Sequence, residues 1–335
     1  MIKKILCLSV LTIAISCKTP KKSIKEVNPE EYASTITASE LKDHLYTFAS
    51  DDFQGRDTGK PGQKKAANYL KNNYIEMEIA SPLGGANYFQ HIPSSFFHNK
   101  YNDSENVVAY IEGSEFPDEV VVVSAHYDHV GIDAEGNVFN GADDDGSGTV
   151  AVLEIAEAFK EAQKDGYQPR RSILFLHVTG EEKGLLGSDY YTKNPIFPLK
   201  NTVTDLNTDM IGRIDPKHED DPNYIYLIGS DKLSTDLHEL SEEMNSKYTQ
   251  FDLDYTYNDE NDPNRFYYRS DHYNFAKHNI PVIFYFNGTH SDYHQITDTP
   301  DKIEYDLMAR RAQLIFYTAW EVANRDERLV IDKVN

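Results

Sequence analysis

The residues able to do chemistry fall in five short blocks. His126-Tyr127-Asp128-His129 closes an apolar run, and NGADDDGSG (140–148) follows with three consecutive aspartates, Asp143, Asp144 and Asp145. Another apolar run ends in Gly180-Glu181-Glu182, continuing as KGLLGS. Asp209 closes TDLNTD (204–209), and Tyr293-His294 lies in HSDYHQITDTPDK near the C-terminus. Taken singly these are ordinary: a histidine after a strand is commonly a plain polar residue, and an acidic triplet is commonly a solvated turn. An EF-hand is excluded, because placing Gly146 at that loop's glycine puts Gly141 and Val152 at its first and twelfth positions, where oxygen ligands are needed.

Together the blocks meet one chemical need. Two zinc ions held about 3.5–4 Å apart require a bridging carboxylate, a histidine and a carboxylate each, and an open position for water. The chain has two cysteines, Cys7 and Cys17, so CxxC zinc sites, a disulfide framework and a cysteine nucleophile in the body of the chain are all excluded. Any metal is held by histidine and carboxylate. Asp128, two residues after His126, is placed to orient that imidazole. Glu181-Glu182 supplies adjacent carboxylates for two jobs, one binding metal and one acting as general base.

Such residues must be brought together by a scaffold. Apolar, β-branched runs at 106–111 (NVVAYI), 119–125 (EVVVVSA), 172–179 (SILFLHVT) and 281–286 (PVIFYF) predict buried strands. Thr37 and Glu40 form a capping box for a helix carrying Leu41, Leu45 and Phe48. A second helix is predicted after Pro61-Gly62, and a third, apolar on most faces, over about 147–162. Strands buried on both faces and alternating with helices predict a three-layer α/β/α sandwich around a mixed, mostly parallel sheet. Open sheets of this kind place their sites where strands end, and three of the five blocks begin there. His177, inside a strand, reads as a core histidine, and 258–265 (NDENDPNR) as a solvated loop.

Composition narrows the partners. The 335 residues are 39% hydrophobic and 26% charged, with a net charge of −22. This is a folding composition, and the negative charge repels a phosphate backbone, so nucleic acid is excluded as a partner. At the N-terminus, Lys3 and Lys4 precede an apolar run over 5–15 that is too short to span a bilayer. Ala14-Ile15-Ser16-Cys17 resembles a bacterial lipobox, with alanine where leucine is usual. The expectation is a lipoprotein signal over 1–17, lipidation at Cys17, a flexible tether over 18–36 and one catalytic domain over 37–330. The protein would then be exported and anchored in the bacterial cell envelope, facing the periplasm or the surface.

The blocks HYDH, NGADDDGSG, EEKGLLGS, NTDMIGR and YHQITDT resemble the metal-site blocks of the bacterial co-catalytic di-zinc aminopeptidases of metallopeptidase clan MH. Relatives in that clan include leucine aminopeptidase, glutamate carboxypeptidase and glutaminyl cyclase. SDDFQGRDTGKPGQKK (50–65) and FYYRSDHYNFA (266–276) also resemble family segments, so the resemblance covers most of 38–325. It implies a zinc-exopeptidase phosphorylase/hydrolase-like fold and two Zn2+ ions. His126 would bind one ion and His294 the other. Asp144 would bridge them, through a cis peptide to Asp145, and Glu182 and Asp209 would each complete one ion. Glu181 would be the base, Asp128 the partner of His126, and Tyr293 a donor to the tetrahedral intermediate. His272 would support the substrate-side wall, while His129, His218, His278 and His290 receive no role. The implied activity is removal of N-terminal residues from peptides. Glutaminyl cyclase-like acyl transfer and a non-catalytic metal-binding envelope protein are the alternatives.

Overall fold

The computed structural model describes residues 27–333. Ten strands occur among them: β1 (Phe89–Ile92), β2 (Ser104–Ile111), β3 (Phe116–His126), β4 (Gly131–Ile132), β5 (Val138–Phe139), β6 (Arg171–Val178), β7 (Thr202–Thr208), β8 (Tyr224–Ile228), β9 (Asp252–Asp254) and β10 (Val282–Phe286). Eight of them form one sheet in the order β1-β2-β6-β3-β7-β10-β8-β9, and β4 and β5 form a separate hairpin. The four central strands β6, β3, β7 and β10 are mutually parallel, while β2 and β8 flank them antiparallel. All four central strands therefore end on one edge of the sheet.

Alternation along each strand divides the core into two layers. Val121, Val123, Ile173, Phe175, Ile283 and Tyr285 face one side with the helices α2 (Ala38–Phe48), α4 (Gly148–Lys164) and α8 (Tyr305–Asn324). Val120, Val122, Leu174, Leu176, Phe284 and Phe286 face the other. This is the expected sandwich around a mixed, mostly parallel sheet. α4 packs on β3 and against both α2 and α8, which explains its apolar faces. Thr37 caps α2 as expected, accepting the Glu40 N–H at 3.2 Å. The helix after Pro61-Gly62 is α3 (Pro61–Glu76) when helices are numbered along the chain from α1 (Glu30–Ala33). His177 sits in the core against Tyr74, its Nε2 2.6 Å from the phenol oxygen, and burial pushes it down to about 3, so it is neutral.

The expected tether over 18–36 is shortened at its C-terminal end. Tyr32 in α1 stacks on Trp320 of α8 with ring centroids 5.8 Å apart, and Ala33 and Ile36 are buried with it. These apolar side chains bind the segment to the helical layer. The lipoprotein signal, Cys17 and the rest of the tether lie outside the described residues. Among the described residues no helix is long and apolar enough to cross a membrane.

Candidate metal centre

The parallel strands deliver the site. His126 is the last residue of β3, Glu181 and Glu182 follow β6, Asp209 follows β7, and Tyr293 and His294 lie on the segment after β10. Asp144 comes from the loop between β5 and α4. With Asp128 two residues beyond the end of β3, the fold brings all eight predicted residues to one edge of the sheet.

The donor atoms form two adjoining groups that share Asp144. In one, His126 Nε2 lies 3.2 Å from Asp144 Oδ1 and 3.6 Å from Asp209 Oδ1. In the other, His294 Nε2 lies 2.8 Å from Asp144 Oδ2 and 3.1 Å from Glu182 Oε1. Asp144 Oδ2 and Glu182 Oε1 are buried and have no aligned hydrogen bond among the described residues. Buried carboxylate oxygens in that condition are costly unless a cation satisfies them. Donor sets of imidazole and carboxylate suit a divalent ion such as zinc, so these residues fit the metal that the sequence resemblance implies.

The aspartate triplet is divided among three tasks. Asp144 faces the donor groups, and the Asp144–Asp145 peptide is cis. Asp145 turns inward, where Oδ2 accepts the His126 N–H at 3.1 Å and Oδ1 accepts those of Met210 and Gly148 at 3.1 and 2.9 Å. A Cβ at Gly148 would lie 2.4 Å from Asp145 Oδ1, so glycine is required there. Asp143 Oδ1 accepts the Gly212 N–H at 2.7 Å, and Asp143 Oδ2 lies 3.0 Å from His290 Nε2.

Several supporting residues carried no signal of their role in the sequence. Asp298 accepts the N–H groups of Asp143 and Asp144. Ser270 donates to Asp209 Oδ2 at 2.6 Å and is itself held by Asn207. Arg56 is fully buried and donates to the carbonyls of Tyr127, Asn140 and Gly141 at 2.9, 2.6 and 2.8 Å, clamping the loops that carry His126 and Asp144. Its block, 50–65, was legible as a family segment, but nothing in its residue types announced this clamp.

The partner expected for His126 takes a different form. Its Nδ1 lies 3.1 Å from the main-chain carbonyl of Asp128, whereas the Asp128 carboxylate is 3.9 Å away. That carboxylate instead accepts the Thr58 hydroxyl at 2.7 Å and the Glu181 N–H at 3.1 Å. These two donors approach the carboxylate more closely than the imidazole does.

Neighbouring glutamates are driven in opposite directions. Burial, reinforced by Asp209 and Glu182 and opposed by His126, holds the Glu181 carboxyl well above the ordinary carboxylate range. Burial and Asp144 push Glu182 the same way, but contacts with His129 and His294 prevail and hold it low. Two adjacent carboxyls pushed apart in this manner are suited to proton transfer and to ion binding respectively. Glu181 lines a cavity with His126, Asp144 and Asp209, whose far wall includes Phe266, Phe284 and Arg269. Tyr293 stacks on His294 at 4.0 Å, and its hydroxyl lies 3.5 Å from Arg269 at the cavity wall.

Similarity to known proteins agrees with this arrangement. The chain is 37% identical over 106 residues to a probable glutamate carboxypeptidase, LAMP1, of Arabidopsis thaliana, a stretch covering 31% of this chain and 14% of that protein. The chain thus spans well under two thirds of that relative's length. In structure it is similar to the LapA aminopeptidase of Legionella pneumophila, with a TM-score of 0.70 at 20% identity over 96% of this chain and 81% of the other. It is also similar to BSAP, a zinc aminopeptidase from Bacillus subtilis, with a TM-score of 0.68 at 16% identity over 90% and 98% of the two chains. At these identities the structural likeness is one of fold. The profile of peptidase family M28 matches residues 106–319, a span that begins in β2, takes in every proposed donor and ends in α8. By that match, over more than half of its length, the chain belongs to peptidase family M28.

Proposed function

We propose that this chain is a zinc-dependent aminopeptidase that holds two zinc ions and removes N-terminal residues from peptides. The observation that carries the reading is the sharing of Asp144 between two donor groups beside a cavity lined by Glu181. His126, Asp144 and Asp209 would hold one ion, and Asp144, Glu182 and His294 the other. Bound zinc supplies a water whose pKa is lowered toward ~7.

Glu181 takes a proton from the attacking water. As the peptide C–N bond breaks, the same carboxyl passes that proton to the leaving amine. Burial beside Asp209 and Glu182 makes the ionised carboxylate a stronger base than an exposed glutamate. Asp128 fixes the Glu181 main chain, and Tyr293 offers a hydroxyl to a substrate oxygen at the cavity wall. Lipidation at Cys17 and export to the bacterial cell envelope, supported by the N-terminal sequence alone, belong to the same proposal.

Removing metal with a chelator and restoring zinc tests the reading. Hydrolysis of an aminoacyl-amide substrate is expected to vanish and then return. Release of ammonia from N-terminal glutamine, with no residue removed, would favour the cyclase alternative instead.

A further inference from the structure

His129, the second histidine of HYDH, is fully buried, and neither ring nitrogen has an aligned hydrogen bond among the described residues. Its Nδ1 lies 2.8 Å from Glu182 Oε1 and 3.9 Å from Asp144 Oδ2. Those two oxygens are the pair that His294 Nε2 approaches at 3.1 and 2.8 Å. The rings of His129 and His294 meet edge to face, with centroids 5.6 Å apart. Gly141 leaves the space for this ring: its φ is +55°, and a Cβ there would lie 2.6 Å from His129 Cδ2 and Cγ.

Four donors around a tetrahedral zinc stand about 3.3 Å from one another, given bond lengths of about 2.0–2.2 Å. The four distances from the His129 and His294 nitrogens to the Asp144 and Glu182 oxygens bracket that value, and the poor hydrogen-bond alignment of Nδ1 is what a ligand, rather than a donor to Glu182, displays. We propose that His129 is a fourth protein ligand at the Glu182–His294 position, closing it, so that exchange and substrate approach are confined to the His126–Asp209 position. The proposal rests on the di-zinc reading above. The cavity agrees with it: His126, Asp144 and Asp209 line that space and His129 does not. Closed positions are characteristic of structural zinc, and three-ligand positions of catalytic zinc.

A closed position fills first. X-ray absorption of the intact chain loaded with one equivalent of zinc is therefore expected to show two imidazoles on the ion. One imidazole would overturn the proposal, since without His129 either position offers a single histidine. In His129→Ala the one-equivalent sample is expected to show one imidazole, with affinity for the first zinc reduced more than ~100-fold, beyond the ~10–100-fold cost of losing an outer partner. Retention of wild-type affinity in that variant would also overturn it. If the intact chain binds no zinc, the zinc reading falls and the assignment of His129 falls with it.

Discussion

The Glu181 N–H donates to Asp128 Oδ1 at 3.1 Å, tying the turn after β6 to the segment leaving β3. Thr58 holds the other carboxylate oxygen at 2.7 Å, so Asp128 is anchored from the segment before α3 as well. Three parts of the chain thus meet at one carboxylate, whose effect on chemistry is exerted through the position of Glu181. Asp128→Asn removes one of the two acceptors and the charge. Its kcat is expected to fall ~10–100-fold with zinc content unchanged, as read by steady-state kinetics beside metal analysis; an unchanged kcat would contradict this role.

Glu181 and Asp144 separate proton transfer from metal binding. Glu181→Gln preserves shape but cannot take a proton, so kcat is expected to drop ~10²–10⁴-fold while zinc is retained. Asp144→Asn is expected to lose zinc as well, because both donor groups use that carboxylate. Zinc-to-protein ratios of the two variants distinguish the roles.

Arg56 answers for the carbonyls of Phe48, Tyr127, Asn140 and Gly141, and its guanidinium lies over the Phe48 ring at 4.7 Å. Burial pulls it down to about 10, opposed by Asp144, Asp298, Asp128 and Asp145, and it stays cationic among those carboxylates. Arg56→Met leaves buried carbonyls unpaired and removes the compensating charge. A loss of about 3–5 kcal/mol in chemical denaturation is expected, accompanied by weaker zinc binding.

Glu154 on α4 gives the stability a pH dependence away from the site. It is buried, with His44 Nε2 at 3.4 Å, and burial together with Glu40 and Glu157 raises its carboxyl from 4.5 to about 9. His44 is itself lowered by burial and brings no compensating charge at neutral pH. A raised carboxyl binds its proton more tightly in the folded chain, so its contribution is full below about 4.5 and is lost as pH rises toward about 9. Glu154→Gln is expected to flatten that fall: its melting temperature relative to wild type should increase steadily between pH 5 and pH 9. A constant difference would exclude the linkage.

How much of this was legible in the sequence follows from where each residue sits. His126 and Glu182 stand where hydrophobic runs stop, so the end of a strand and a chemical residue type coincide and can be read together. β7 does not read as a strand in the same way, because five of the seven residues of TVTDLNT are polar; its buried Asp205 and Asn207 find the Ser124 hydroxyl across the sheet, at 2.7 and 3.0 Å. Asp298 falls inside the YHQITDT block, but nothing in its residue type names its partners, and only the fold carries it to the N–H groups of Asp143 and Asp144. Tyr32 stands in a polar stretch, and its stacking on Trp320 depends on a helix almost three hundred residues away. Long-range partners of this kind have no local period or motif.

The most direct test of the aminopeptidase assignment is mass spectrometry of a peptide mixture incubated with the zinc-loaded protein, comparing free with acetylated N-termini. Stepwise trimming confined to free N-termini is the predicted result, and the residues released would give the side-chain preference of the cavity. Equal cleavage of acetylated peptides, or removal of C-terminal residues, would contradict the assignment.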